Sequence, residues 1–162
     1  MRVAQFLADN QVAFEEMLHP PAFTSQKLAK SLRISGRRVV KCVLLKGPKS
    51  FVVAVLPATM QIDFARVAKF LGGPARLATL AEMHEELRDC EWGASVPFGR
   101  LYGLTTILEA TIPLDATIVF EAQMHAVAIK MQCRDFVKLE RPERLPFALQ
   151  PDAPKQPHPR AG

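Results

Sequence analysis

The chain has 162 residues, the length of one ordinary domain with a single core. Hydrophobic residues make up 49%, which excludes a disordered chain, and no apolar run approaches the roughly 20 residues of a membrane-spanning helix. A formal net charge of +5 favours an anionic partner without requiring one.

Three widely spaced cysteines, Cys42, Cys90 and Cys133, form neither a CxxC pair nor a metal-ligand spacing. Reduced thiols in a cytoplasmic protein are therefore expected. The opening stretch MRVAQFLADNQVAF lacks an apolar h-region and carries an early acid, so no secretory signal is expected.

Val3, Phe6 and Leu7 predict a short amphipathic helix over residues 2–10. VAFEEML reads as a strand halted by His19-Pro20-Pro21. Thr24 is the expected N-cap of a helix SQKLAKSL, closed by Ser35-Gly36. RRVVKCVLLKG and FVVAVLP are apolar on both faces and flank the turn KGPKS, which predicts a buried hairpin. Asp63 caps a helix with Phe64, Val67, Ala68 and Leu71 on one face, ended by Gly72-Gly73. Thr79 and Glu82 fit a capping box for the next helix. After the loop DCEWGASVPFGRLYG come strands LTTILEA, ATIVFEA and HAVAIKM, then a short helix CRDFVKL. Six of the 13 prolines lie in residues 141–162, so that stretch is expected to be a proline-rich mobile tail. The body is a single α+β domain over residues 1–140, with at least five mostly antiparallel strands and helices around them.

Lys41 is the first candidate for chemistry. On a strand apolar on both faces its ammonium must lose water, and an anionic ligand would supply the missing partner. The plainer reading is a lysine whose stem lies on apolar surface while its head reaches solvent. Gly93 and Gly99 bracket a loop stiffened by Pro97, through which a ligand can approach the main chain; a simple connection is the alternative. His125 opens the strand HAVAIKM as a candidate ligand contact or a structural residue. There is no HExxH, GxSxG, Walker lysine or GxGxxG, and no obvious nucleophile.

Lys41, the GxxxPFG loop and His125, in this order and spacing, resemble the YbaK family of aminoacyl-tRNA deacylases, related to the editing domain of bacterial prolyl-tRNA synthetases. The matching stretches are HPPAFT, VVKCVLLKG, VLPATMQIDFARVAKFLG, GASVPFGRLYGL, IVFEAQMHAVAIKM and DFVKL. The resemblance implies a curved, barrel-like mixed sheet with helices outside. It implies hydrolysis of the ester between a wrong amino acid and the tRNA 3′-terminal adenosine, with no metal or organic cofactor. Lys41 would be the catalytic contact to the tRNA 3′ end. Thr24, Gly93, Ala94, Ser95, Pro97 and Gly99 would bind substrate, with His125 at the wall that judges the side chain. An aminoacyl ester is already activated, so orientation, fixed donors and a water or substrate 2′-hydroxyl can replace a protein nucleophile.

One stretch departs from the family. Its histidine usually follows a glycine and a small residue, as in AGSH or AGTH, where this chain has Ala122-Gln123-Met124-His125. Gln123 and Met124 are expected near the pocket, where they would narrow it, redirect it or spoil catalysis. A non-catalytic module that binds aminoacyl-tRNA is thus the alternative to an enzyme, and a third reading places function in the basic tail. The expected partner is the aminoacyl-tRNA 3′ end, with a synthetase as a second candidate. No membrane association is expected, and a monomer is, since no long apolar stripe is exposed.

Overall fold

Strand alternation builds the centre of the molecule. In the computed structural model, which describes residues 2–22 and 24–151, the chain runs α1 (Arg2–Asp9), β1 (Phe14–Leu18), α2 (Ser25–Leu32), β2 (Val40–Lys46), β3 (Phe51–Pro57), β4 (Gln61–Ile62), α3 (Phe64–Leu71), β5 (Arg76–Leu77) and α4 (Leu80–Glu86). A 3-10 turn at Gly99–Tyr102 precedes β6 (Thr105–Glu109), β7 (Thr117–Glu121), β8 (Val127–Gln132), α5 (Cys133–Glu140), β9 (Glu143–Leu145) and β10 (Ala148–Leu149). On β3, Val53 and Val55 enter one core with α1, β7, β8 and α5, while Val52, Ala54 and Leu56 enter a second with α3 and Phe147. Both faces of this strand are buried, which is why it carries no polar residue.

The five-stranded sheet has the order β5-β2-β3-β6-β9, and a three-stranded sheet the order β1-β8-β7. The β2–β3 hairpin is antiparallel, with Gly47 N–H bonded to Ser50 O at 3.0 Å across the expected turn. β3–β6 and β6–β9 are parallel, and the other strand pairs are antiparallel. Among the described residues a single isolated parallel bridge, Val39 to Val119, joins the two large sheets. The expected barrel-like curvature therefore does not extend to a closed barrel.

Helix starts fall where the capping residues predicted. Thr24 Oγ1 accepts from Lys27 N at 3.1 Å, Asp63 caps α3, and Thr79 with Glu82 completes the capping box of α4. α2 spans the expected SQKLAKSL, but it is closed by Arg33 in a left-handed conformation (φ 54°) rather than by Ser35-Gly36, which lies beyond it. No helix is long and apolar enough to cross a membrane among the described residues.

The tail expected from residue 141 begins too early. Glu143–Leu145 pairs with β6, Ala148–Leu149 pairs with β4, and Phe147 is buried in the second core. Glu109 fixes this segment, its Oε2 accepting from Phe147 N and Ala148 N at 3.0 and 2.9 Å. Proline content misled here, because short edge strands tolerate proline at their ends. Residues 152–162 lie outside the described residues.

Candidate active site

β2 has β3 on one side along its length, but β5 covers only Leu45 and Lys46 on the other. Its first half therefore borders a cleft. The expectation that Lys41 is buried on both faces yields to a half-buried lysine at this uncovered edge. Loss of water still lowers its pKa, and no hydrogen bond or ion pair reaches its ammonium among the described residues.

The cleft, about 260 Å³, is lined by residues from four segments: Thr24 and Leu28 at the start of α2, Lys41 and Cys42 of β2, Gly93 and Ser95 of the loop, and Glu121 at the end of β7. Thr24, Lys41 and the loop pair Gly93 and Ser95, three segments far apart in sequence, thus meet. Ser95 ties the loop to both strands. Its Oγ donates to Cys42 O at 2.8 Å, and its backbone N–H donates to the Glu121 carboxyl. Val96 and Phe98 anchor the loop in the core, Phe98 meeting Phe6, Phe120 and Phe136 edge-on. Gly93 sits at φ 77°, a conformation that glycine adopts without strain.

Three of the expected loop residues stand elsewhere. Ala94 packs with Leu87 and Cys90, and Pro97 is buried off the cleft. Gly99 opens the 3-10 turn, where a Cβ would lie 2.6 Å from Thr106 Oγ1 and 2.8 Å from Leu104 O. Close packing requires that glycine.

His125 does not start a strand; it lies in the turn between β7 and β8, behind the cleft wall. Its Nε2 lies 2.7 Å from Trp92 O, its Nδ1 lies 2.6 Å from Glu121 Oε1, and its backbone N–H donates to Glu91 Oε2 at 2.7 Å. A carbonyl only accepts, so Nε2 carries a proton and the Nδ1–Oε1 contact holds one more. Burial pulls His125 down, but the Trp92 carbonyl and Glu121 together raise it. Burial pushes Glu121 up to about 7 despite His125 and the Ser95 N–H.

Gln123 occupies the position of the family's glycine and takes a left-handed backbone conformation (φ 67°). Its side chain points away from the cleft. Oε1 accepts from Val3 N at 3.0 Å, and Nε2 donates to Asp89 O at 3.3 Å and Tyr102 Oη at 3.4 Å. Neither Gln123 nor Met124 lines the cleft, so the expected narrowing does not occur.

Glu121 is the residue that sequence reasoning missed. The signal was present: an acid sharing a strand face with Val119, beside a face formed by Ile118, Phe120 and Ala122, raises the same question as Lys41. Cys42 also reaches the cleft. Burial, then Glu121 and Cys90, push its thiol well above the ordinary value, so it stays protonated and a poor nucleophile. Among the described residues no three His, Cys, Asp or Glu side chains converge to hold a metal ion. A larger depression of about 740 Å³, lined in part by Phe6, Gln11, Arg100 and Lys138, touches none of the candidate residues.

Residues 19–139 match the family described as the aminoacyl-tRNA editing domain. The chain belongs to this family. A multifunctional Ser/Thr-tRNA deacylase, ProXp-y, of Escherichia coli K12 is 28% identical over 142 residues, covering 86% of this chain and 84% of that protein. A proline–tRNA ligase of Thermosipho africanus is 29% identical over 84 residues, 52% of this chain and 14% of the ligase. Among solved structures, a candidate trans-editing enzyme for prolyl tRNA synthetase superposes with a TM-score of 0.78 at 17% identity, covering 91% of this chain and 95% of that one. The hypothetical protein APE2540 gives a TM-score of 0.83 at 15% identity, covering 92% of this chain and 100% of that one. These structural likenesses establish the shared fold of the editing-domain chain.

Proposed function

We propose that this protein deacylates mischarged aminoacyl-tRNA in trans, hydrolysing the ester to the 3′-terminal adenosine. The observation that carries this reading is the convergence of Thr24, Lys41, Gly93 and Ser95 on one small cleft that contains a cation but no activated nucleophile. Lys41 holds a phosphate or acyl oxygen of the tRNA 3′ end, which supplies the partner its ammonium lacks. Thr24 Oγ1 uses a lone pair to cap α2 and keeps its proton for a substrate oxygen. The Ser95 hydroxyl donates to Cys42 O and burial raises the Cys42 thiol, so neither is activated as a nucleophile by a neighbouring base. Attack comes from water or the neighbouring ribose hydroxyl, with the barrier lowered by orientation and fixed charge.

Similarity to a Ser/Thr-tRNA deacylase puts seryl- and threonyl-tRNA first among substrates, ahead of alanyl- and cysteinyl-tRNA. The non-catalytic alternative drew on Gln123 and Met124, and that support weakens because neither side chain lines the cleft. A cytoplasmic monomer remains part of the proposal, with three free cysteines suited to a reducing compartment. A synthetase is its second candidate partner.

Deacylation of seryl-, threonyl-, alanyl- and cysteinyl-tRNA by wild type and Lys41→Ala tests the reading. At least one substrate is turned over, and Lys41→Ala, with an unchanged Tm, loses about 100-fold in kcat/KM. Full activity in a well-folded Lys41→Ala would end the role assigned to the lysine.

A further inference from the structure

Lys41 and Glu121 line the same cleft, yet no ion pair joins them among the described residues. Two opposite charges that share a small site without neutralising each other are both available to a ligand. The carboxyl of Glu121 is held rigidly from behind, by His125 Nδ1 at 2.6 Å and by the Ser95 N–H. An ionised carboxylate can accept about four hydrogen bonds, so two of its positions remain to be filled. His125 also supplies a place for the shared proton: when it sits on Nδ1, Glu121 is a carboxylate. A further acid, Glu91, is bonded to the His125 backbone N–H and does not line the cleft.

We infer that Glu121 receives the α-ammonium of the aminoacyl group, so that the site selects esters with a free α-amine. This rests on the deacylase reading and names the recognition element within that site. An aminoacyl-adenosine end carries an ammonium on the acyl group and a phosphate beyond the ribose. These match the carboxylate and the lysine of the cleft. Replacing the amine by a hydroxyl leaves the carboxylate facing a neutral group, and acylating it removes the charge and adds bulk against Ala22, Leu28 and Val40. Glu121 acts as a binding and specificity residue, and proton transfer to water is no part of this role.

The test compares the best aminoacyl-tRNA substrate with its 2-hydroxyacyl counterpart, made by nitrous acid deamination, each rate normalised to uncatalysed hydrolysis. Wild type prefers the amine by about tenfold or more, and Glu121→Gln collapses that ratio toward unity, as expected for loss of a charge-assisted contact. Calorimetry with an amide-linked aminoacyl-adenosine and its hydroxyacyl analogue gives the same ratio as a difference in Kd, without requiring turnover. Equal loss on both substrates in Glu121→Gln would assign Glu121 to proton transfer or structure and overturn the inference. Hydrolysis by wild type with no preference for the amine also overturns it, whether or not the variant folds, and leaves the deacylase reading standing. Preferential binding of the amine analogue without hydrolysis of any tRNA ester gives the converse result: the inference holds and the catalytic reading fails.

Discussion

Glu121 and His125 hold one proton between them across 2.6 Å, and that proton couples stability to pH. An unfolded glutamate titrates near about 4.3, while burial pushes Glu121 up to about 7 in the fold. The folded state therefore keeps a proton that the unfolded chain has already released. The resulting stability is fully present below the unfolded value and is lost as pH rises through about 7. His125 takes part in this same titration, since the proton is shared, and its own raised value acts in the same direction without adding a second proton. The loss is on the order of 3 kcal/mol, and Glu121→Gln, which cannot titrate, should flatten it. Urea midpoints between pH 4.5 and 8.5 are the check: parallel curves for wild type and variant would show that the pair does not govern stability.

The turn from β7 to β8 and the segment after α5 are each fixed by one buried polar side chain. Gln123, 3% exposed, holds a left-handed backbone in exchange for hydrogen bonds to α1, Asp89 and Tyr102. Truncation to alanine keeps the unfavourable φ and strands the Val3 N–H, a cost of about 1–3 kcal/mol. Gln123→Ala should melt earlier while its kcat/KM stays close to wild type, because the cleft wall does not include this side chain. At the other segment, Glu109→Ala removes two charge-assisted bonds to the backbone of Phe147 and Ala148. Hydrogen exchange at those two amides should accelerate, with a stability loss of about 2–4 kcal/mol. Unchanged protection would mean that packing of Phe147 alone secures β10.

Across the whole molecule, the second core includes Phe147 from beyond the last long helix, together with Val67 of α3 and Ile107 of β6. A chain ending at Glu140 loses β9, β10 and Phe147, whose burial alone is worth about 1.5–3 kcal/mol. A chain ending at Pro151 keeps every described strand and should retain both Tm and deacylation. Thermal melts and activity of the two truncations separate a structural segment from a working tail: lost activity in the longer one would return function to residues 152–162.

Local chemistry made much of this legible in advance. Thr24, Asp63 and the Thr79–Glu82 box announce helix starts because a cap and the amides it satisfies lie within one turn. The β2–β3 hairpin is written in two apolar runs around KGPKS. Lys41 stood out because a charge on a doubly apolar strand must either reach solvent past its apolar neighbours or find a partner. Short strands such as β4 and β9 could not be read, since two or three residues have no period and pair only when a distant partner offers an edge. Gln123 takes the glycine's conformation because contacts from α1 and Tyr102 compensate it. Whether Lys41 is buried or borders a cleft depends on how far β5 runs beside β2. Glu121 carried the same kind of signal on β7, but its place in the cleft was decided only when β7 ended against Ser95 and His125. Sequence alone determined the helices, the longer strands and the charge that needed a partner, because caps and alternation act over a few residues. Tertiary structure alone decided which distant side chains share the cleft, because that proximity comes from sheet order and loop anchoring.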